Sequence, residues 1–532
     1  MPKEPILIFT HLLVLSLLLS YPLADFAQKN DLKMPRYGGT LRVKSFEGEF
    51  RSELDPASPE SYIFISEHLY DGLVKLDKNL SPVPSLAEYW IISADGTEYT
   101  FHLRKGVFFH HRRELTAEDV KYSLERIIDR ETQSPYSEFF TTRVVGAQDF
   151  RDGDTGEVKG FKVKDKYIFE IQWAKPYISA LYLLSMPFCK ILPQELVMSR
   201  GKRFFSKPYG TGAFKFHSWI RSPQLEIVGI RLERNNVYFG GKPYVDALEF
   251  SPYYTLDHFL EKEVDIIPVL SEKVLTDEYQ VFKDGSLNQS FLGLSCNIPP
   301  LDKQVVRRAL SHGINKSAIA RAAYNIIYLY ELTHNYIPSK LPGFFPLDNR
   351  YGYDPDKAMQ LLREAGFSEE TQFPALTLFL ELPRSEEQSR IYREVRDQCA
   401  AMGIRLRVRY YKSLDEVENS KEPYLVMLKR VTSFPDAEKI IRPLFSSGSP
   451  FNVCNYSNPE LDRLLEEAES TKSWTNRIKL FQQMEEILVS DVPAIPLFTN
   501  QQRIAVQPYV RKVEVPLLGF YYLDASKVWL DK

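Results

Sequence analysis

The sequence predicts an α/β protein with at least two lobes. The length of the chain indicates more than one lobe, and the alternation of helical and strand patterns indicates the α/β class. The chain has 532 residues, whereas a single hydrophobic core stops growing at roughly 250 to 300 residues. Helical and strand patterns alternate throughout. No repeat of roughly 20 to 50 residues, the signature of a solenoid or propeller, is visible.

Composition describes an ordinary globular protein. Hydrophobic residues make up 44% and charged residues 26% of the chain, which is unlike a disordered sequence. The formal net charge is -3, and Lys and Arg are dispersed among acidic residues. Because a phosphate backbone requires clustered positive charge, nucleic acid is not an expected partner.

The first residues resemble an export signal. Lys3 precedes an apolar run from Ile6 to Leu23, and the small residues Ala24 and Ala27 follow. This pattern predicts a signal peptide over residues 1–27 and a periplasmic protein. The alternative is an uncleaved membrane anchor, because the run approaches the roughly 17 to 25 residues that span a bilayer.

The four cysteines are far apart in sequence. They are Cys189, Cys296, Cys399 and Cys454, so none forms a CxxC unit and none ends the apolar run, where a lipid would be attached. Buried free thiols are expected, with one or two disulfides as the alternative.

Three helices are predicted from their start signals. Thr116, with Asp119 three residues later, resembles a capping box and begins a helix of about twelve residues. Asp354-Pro355 and Asn458-Pro459 begin two more, each with proline at the first helical position, and the first of these should stop at Gly366.

Strands are predicted at residues 99–103, 167–171 and 403–411. In the last, apolar side chains alternate with Arg405, Arg407 and Arg409, so one face should be buried and the other basic. The arginines are expected to be solvated. Alternatively, they receive ligand carboxylates.

Motifs for chemistry are largely missing. The sequence contains no GxSxG, HExxH, P-loop or GxGxxG pattern. The adjacent pair His110-His111 is expected in a turn rather than on a metal, and Ser199 to Lys202 matches SxxK without its companion motifs. No catalytic residue, metal or cofactor is therefore predicted.

A series of short motifs nevertheless follows one order along the chain. They are Leu54 to Pro56, Leu69 to Leu73, Pro84 to Trp90, Tyr99 to Val107, Leu115 to Val120, Gly210 to Phe214, Arg234 to Tyr238, Val306 to Leu310, Ile314 to Lys316 and Tyr353 to Ala358. Together they resemble the peptide and nickel family of bacterial extracellular solute-binding proteins, over about residues 38 to 525. Glycines in such motifs are expected to form turns with positive φ.

The resemblance implies an α/β two-lobe periplasmic-binding-protein fold (type II, class C) with an extra subdomain and a hinged ligand cleft. Lobe I would comprise residues 38–71, 198–283 and 496–532, and lobe II residues 284–495. The extra subdomain would be residues 72–197.

The implied function is that of a monomeric receptor, not an enzyme. It would capture short peptides in a closing cleft and deliver them to the permease subunits of an inner-membrane ABC transporter. An extended peptide would be held by main-chain hydrogen bonds and charged partners for its termini. Other solutes of the same family, such as a cell-wall peptide or a nickel chelate, are alternatives, as is a secreted binding protein that works without a transporter.

The sequence departs from the family where the ligand should bind. Oligopeptide-binding relatives carry a Trp-x-Ala-Asp-Tyr segment whose acid pairs with the peptide ammonium, and here Ser433 stands in place of that acid. Either Asp436 or another acid compensates, or the ligand lacks a free ammonium. Arg430 adds a positive charge suited to a carboxylate, unless it faces solvent. The ligand-binding residues expected from the resemblance are Ser61, Tyr62, Phe64, Tyr410, Tyr411, Arg430, Thr432, Ser433 and Phe434.

Overall fold

Three large β-sheets and two two-stranded sheets, with surrounding helices, organise the described part of the chain. The computed structural model describes residues 34–45, 53–269, 271–283, 287–323, 330–347, 350–368, 370–430, 434–500 and 503–532, without the side chains of Arg430 and Asn500. Contacts divide the chain into two units, Met1–Arg36 and Tyr37–Lys532. Only the exposed residues 34–36 of the first unit are described, and the second contains every element below.

The strands, in chain order, have the following bounds. They are β1 (Thr40–Lys44), β2 (Val74–Leu76), β3 (Pro82–Pro84), β4 (Ala87–Ile92), β5 (Glu98–Leu103), β6 (Phe161–Asp165), β7 (Ile168–Gln172), β8 (Phe214–Arg221), β9 (Ile227–Arg234), β10 (Ala247–Ser251), β11 (Ile266–Pro268), β12 (Gln280–Lys283), β13 (Gln289–Leu294), β14 (Tyr330–Leu332), β15 (Leu376–Glu381), β16 (Leu406–Tyr411), β17 (Tyr424–Arg430), β18 (Ala494–Asn500), β19 (Arg503–Val506), β20 (Val510–Arg511) and β21 (Trp529–Leu530).

The α-helices are bounded in the same way. They are α1 (Ile63–Leu69), α2 (Ala117–Ile128), α3 (Glu138–Thr141), α4 (Ala147–Asp152), α5 (Ala180–Leu184), α6 (Gln194–Arg200), α7 (Leu256–Leu260), α8 (Gln304–Gly313), α9 (Lys316–Ala323), α10 (Pro355–Glu364), α11 (Glu386–Ala401), α12 (Asp415–Glu418), α13 (Glu438–Phe445), α14 (Pro459–Ser470) and α15 (Trp474–Asp491). Short 3₁₀ turns occur at Pro187–Cys189, Gly201–Ser206, Glu272–Val274, Phe520–Tyr522 and Ala525–Lys527.

Each large sheet draws its strands from a different part of the chain. The seven-stranded sheet has the order β12-β19-β11-β1-β10-β9-β8, the six-stranded sheet β14-β18-β13-β17-β15-β16, and the four-stranded sheet β4-β5-β7-β6. Strand β18 crosses the boundary predicted between residues 495 and 496. The predicted lobe and subdomain limits stay a prediction.

The predicted helix starts and the predictions for the histidine pair and the cysteines are confirmed. Helix α2 has twelve residues and a capping box between Thr116 and Asp119, and the side chains of Asp354 and Asn458 cap α10 and α14. His110 and His111 lie in a turn. The structure has all four cysteines as free thiols, three of them buried.

The predicted strand at 403–411 is shorter than expected. Strand β16 begins at Leu406, because Gly403 adopts a left-handed φ of 74°, which turns the chain before the strand. The basic face is confirmed, since Arg405, Arg407 and Arg409 are all exposed and β16 is the edge strand of its sheet.

The expectation for the motif glycines is wrong at the Gly-Thr-Gly segment. Neither Gly210 nor Gly212 has a positive φ. Instead, a Cβ on Gly210 would lie 1.9 Å from the carbonyl oxygen of Leu69, and one on Gly212 would lie 2.3 Å from that of His68. These glycines are required because the main chain of α1 passes directly against them.

Candidate functional site

The carboxyl ends of three parallel strands define the candidate site. Strand β15 pairs in parallel with β16 on one side and β17 on the other, so all three end at the same edge of the six-stranded sheet. In open α/β sheets, ligands bind in the crevice outside this edge. Of the residues predicted from the resemblance, Tyr410, Tyr411 and the Arg430 main chain lie here, at the ends of β16 and β17.

The two tyrosines at the end of β16 have different surroundings. Tyr411 is 3% exposed and packs edge-on against Phe379, with 6.4 Å between ring centroids, and burial raises its pKa to about 12. Tyr410 is half-buried, and the guanidinium of Arg384 lies 4.4 Å from its ring centroid. A cation over a tyrosine face is attracted by the ring.

Arg384 is a candidate that the sequence reasoning missed. It follows the end of β15 by three residues, is exposed, and takes part in no ion pair within the described ranges. The signal that could have found it was a basic residue directly after an apolar run that reads as a parallel strand.

Phe434 joins the six-stranded sheet to the part of the chain around the four-stranded sheet. It is 6% exposed and stacks on Phe139 at 6.2 Å. The stack continues from Phe139 to Phe188 at 5.6 Å and from Phe188 to Tyr136 at 4.2 Å. We call these four side chains the aromatic row. Their rings supply a large apolar surface next to the segment that follows β17.

A buried ion cluster fixes the chain directly after Phe434. Arg477 donates from Nη1 to both carboxylate oxygens of Asp436, at 3.0 and 2.9 Å, and from Nη2 to Glu438 at 2.7 Å. The Ser179 hydroxyl donates to the same Asp436 carboxylate. We call Asp436, Glu438, Arg477 and Ser179 the junction cluster.

The electrostatics of the junction cluster decide the role of Asp436. Burial raises the pKa of this carboxyl group, but the charge of Arg477 and the Ser179 hydrogen bond outweigh burial and lower it overall. Its carboxylate is thus ionised and already paired with a guanidinium. Asp436 is therefore not a free acid that could replace the family's ammonium partner.

The predicted residues near α1 lie in another part of the structure. Tyr62 and Phe64 are buried, and Phe64 stacks between Phe250 at 5.1 Å and Phe520 at 5.5 Å. They belong to the core of the seven-stranded sheet. The Ser61 hydroxyl is buried and has no hydrogen-bond partner among the described residues.

Two further buried polar atoms lie close to α1. Glu67 accepts a hydrogen bond from Lys190 on Oε2 at 2.8 Å, but its Oε1 has no partner in the described part of the chain. The Tyr522 hydroxyl is also buried and has no hydrogen-bond partner among the described residues. Burial raises the pKa of Tyr522, and the nearby groups Glu67 and Tyr136 raise it further. This phenol therefore lies near the aromatic row.

The structure brings only some of the predicted residues together. Tyr410, Tyr411 and the backbone of Arg430 share one sheet edge, and Phe434 reaches the aromatic row. The Arg430 main chain pairs with Gln289, whereas its side chain, Thr432 and Ser433 lie outside the described residues. A ligand role for the nine predicted residues stays a prediction.

The described residues contain neither a metal centre nor a membrane-spanning helix. No group of three His, Cys, Asp or Glu side chains there is arranged to hold a metal ion. Across the same ranges, no helix has the combined length and apolar character needed to cross a bilayer.

The chain belongs to the bacterial extracellular solute-binding proteins, family 5, whose middle region matches residues 81–452. The predicted family and fold class are thereby confirmed. Members of this family are binding proteins rather than enzymes.

Three similar proteins illustrate the relationship. The dipeptide-binding protein of Escherichia coli K12 is 27% identical over 498 residues, covering 88% of this chain and 90% of its own. Heme-binding protein A of Haemophilus influenzae is 28% identical over 483 residues, covering 85% of each. The ABC transporter-associated periplasmic binding protein DppA of Helicobacter pylori, solved with the peptide STSA, is 25% identical, with a TM-score of 0.69 over 93% of this chain and 99% of its own.

Proposed function

We propose that this protein captures short peptides outside the inner membrane and delivers them to an ABC importer. The observation that carries the proposal is the likeness to the dipeptide-binding protein of E. coli, which extends over 88% of this chain. The likeness to a protein solved with the peptide STSA supports it. The protein is exported by residues 1–27 and works as a monomer with the permease subunits.

The geometry supports an extended ligand along the edge formed by β15, β16 and β17. Main-chain groups beyond the strand ends would bond the peptide backbone. Arg384 beside Tyr410, together with Arg430, would hold the terminal carboxylate, since a guanidinium can bind it through two parallel hydrogen bonds. Tyr411, Thr432, Ser433 and Phe434 complete the proposed lining at this edge. Ser61 would contribute from the side of the seven-stranded sheet, with Tyr62 and Phe64 packed in the core beside it.

A ligand screen by thermal unfolding tests the class of solute. Mature protein is melted with di- to pentapeptides, a murein tripeptide, a nickel chelate and haem. A ligand at about 100 times its Kd stabilises the folded state by about 2.7 kcal/mol, so peptides should raise the melting temperature clearly. Stabilisation by haem or the chelate alone, with no response to any peptide, would overturn the proposal.

Calorimetry on variants tests the carboxylate end of the site. Arg384→Gln and Arg430→Ala should each weaken a peptide with a free carboxylate about tenfold or more, because a charge-assisted bond is worth roughly 1.5 to 3 kcal/mol. The affinity for the amidated peptide should fall much less. Arg363→Gln, at an exposed position on α10, is the matched control. Equal losses of affinity for the free and the amidated peptide would show that the carboxylate does not bind at this end.

The ammonium end is tested by acetylation. Ser433→Asp should improve binding of peptides with free N-termini over their acetylated forms, because it restores the charge that relatives place there. If acetylation already abolishes binding to the unmodified protein, another acid holds the ammonium. Glu67, with its unpartnered Oε1, is then the first residue to replace.

A further inference from the structure

A small cavity lies away from the proposed peptide site, between α8, α9 and the start of β18. Its volume is about 20 Å³, and the side chains of Ser311, Lys316, His334, Arg350 and Tyr351 are among those that line it. A cavity holds a water molecule when its volume, measured in this way, is above roughly 10 to 15 Å³. The space therefore fits one particle of about the size of a water molecule.

Lys316 brings a buried positive charge to this cavity. Its side chain is 8% exposed, and its Nζ has only two described partners, the Thr333 carbonyl at 3.4 Å and Nδ1 of His334 at 3.3 Å. Hydrogen bonds from an ammonium group normally span about 2.7 to 2.9 Å. No carboxylate of the described residues forms an ion pair with Lys316.

The charge of Lys316 persists at neutral pH. Burial lowers its pKa to about 8, so the ammonium form still outweighs the amine roughly tenfold at pH 7. Burial and the Lys316 charge lower the pKa of His334 to about 4, so this ring is neutral. Because its Nδ1 faces the ammonium, its proton is on Nε2.

The other charged groups around the cavity do not neutralise Lys316. Arg350 lines it as a second cation and pairs with Glu486 at 2.8 Å, where both side chains are about half exposed. From α11, which packs on α9, Arg390 donates to the carbonyls of Ala322 and Ala323, and Glu394 accepts from Gln398. The described lining residues thus offer N–H and O–H donors and positive charge, with no acid among them. On α15, next to the lining, Glu485 accepts from the Tyr336 main-chain N–H at 2.6 Å and Asp491 accepts from the Tyr456 hydroxyl at 2.6 Å.

We infer that this cavity binds a monatomic anion of chloride size, held chiefly by the Lys316 ammonium. Ser311 and Tyr351 can donate hydroxyl hydrogens to the same ion. A buried ammonium without a counter-charge is unfavourable, and an anion supplies that charge. The site is separate from the proposed peptide function and does not depend on it.

Bromide diffraction tests the inference directly. Crystals of the mature protein grown without chloride are soaked in millimolar sodium bromide, and the anomalous difference map is calculated. A bromide peak in the cavity is expected, and Lys316→Met should remove it. No peak, or a peak only at molar bromide, would overturn the inference and indicate that water occupies the cavity.

Thermal unfolding supplies a second measurement. Sodium chloride should raise the melting temperature above that in sodium gluconate at equal ionic strength, and the gain should fade above about pH 8 as Lys316 loses its proton. Lys316→Met should fold in gluconate as stably as the parent but lose the chloride gain. Lys357→Met, at a half-buried lysine on α10 that does not line the cavity, should keep it. An unchanged chloride gain in Lys316→Met would contradict the inference.

Discussion

Replacing Arg477 with methionine should cost this protein a large part of its stability. Arg477 is 2% exposed, and it neutralises Asp436 and Glu438 together while donating from Nε to the Ala468 carbonyl at 2.9 Å. Removing one partner of a buried pair costs about 3 to 5 kcal/mol, because the other charge remains buried without compensation. Asp436 is then left without its guanidinium, while Glu438 keeps Arg442 at 3.0 Å, so we expect a loss of about 3 to 5 kcal/mol, out of a typical total of about 5 to 15.

Three comparison variants separate charge from packing. Arg477→Lys keeps the charge but not the planar donor fork, and it should lose about half as much. Adding Asp436→Asn to Arg477→Met should recover part of the loss, because one orphaned charge is removed. Arg463→Met breaks two exposed pairs, with Glu460 and Glu467, and should cost under about 1 kcal/mol.

Urea unfolding followed by circular dichroism at several pH values is the assay. The pKa of Asp436 is lowered in the folded protein, so its contribution is present above pH 3.8, its ordinary value, and is lost as pH falls through the folded pKa. In Arg477→Met the Asp436 carboxylate lacks its guanidinium, whereas Glu438 keeps Arg442, so protonation of Asp436 should instead raise stability on acidification. A loss below about 1 kcal/mol, or a double variant no more stable than the single one, would refute the reasoning.

Three further predictions concern single residues. Burial raises the pKa of Glu485 from 4.5 to about 7, so between these pH values the folded state binds more protons than the unfolded state. The free energy of unfolding should therefore fall by about 3 kcal/mol as pH rises from 4.5 to 7. Urea titrations of Glu485→Gln should lack this slope. Gly212→Ala should lower the melting temperature by well over 5 °C, because its Cβ would lie 2.3 Å from a carbonyl oxygen, whereas Gly156→Ala, with nothing within 4 Å, should be nearly neutral. Thr116→Ala should cost about 1 kcal/mol through loss of the α2 cap, and an unchanged midpoint in urea would show that Asp119 maintains the helix start alone.

Features set by neighbouring residues could be predicted from the sequence. The capping box at Thr116, the proline starts after Asp354 and Asn458, and the exposed arginine face of β16 all depend on spacing within a few residues. Each of these features occurs at the predicted residues, because its physical cause acts within one turn of helix or along one strand.

Features made by distant parts of the chain could not be predicted. In the junction cluster, Ser179 and Asp436 are 257 positions apart in sequence, and Asp436 and Arg477 are 41 positions apart. No local sequence pattern predicts either contact. Asp436 looked available to a ligand because its partner was not visible in sequence. The Lys316 cavity escaped notice for the same reason, since Lys316 belongs to a motif that otherwise reads as a helix start.

The distribution of these features explains why family motifs identify the fold better than the ligand. Gly210 and Gly212 allow the main chain of α1 to pass against them, and the junction cluster fixes the chain beyond β17. Both maintain the scaffold whatever solute is bound. The ends of β15, β16 and β17 carry fewer such constraints, since Arg384 is exposed and Tyr410 only half-buried. Side chains can therefore change there at little cost in stability, so one scaffold can serve relatives named for dipeptides and for haem. The identity of the solute should accordingly depend on these strand ends, where Arg430 and Ser433 are predicted to depart from the peptide-binding pattern.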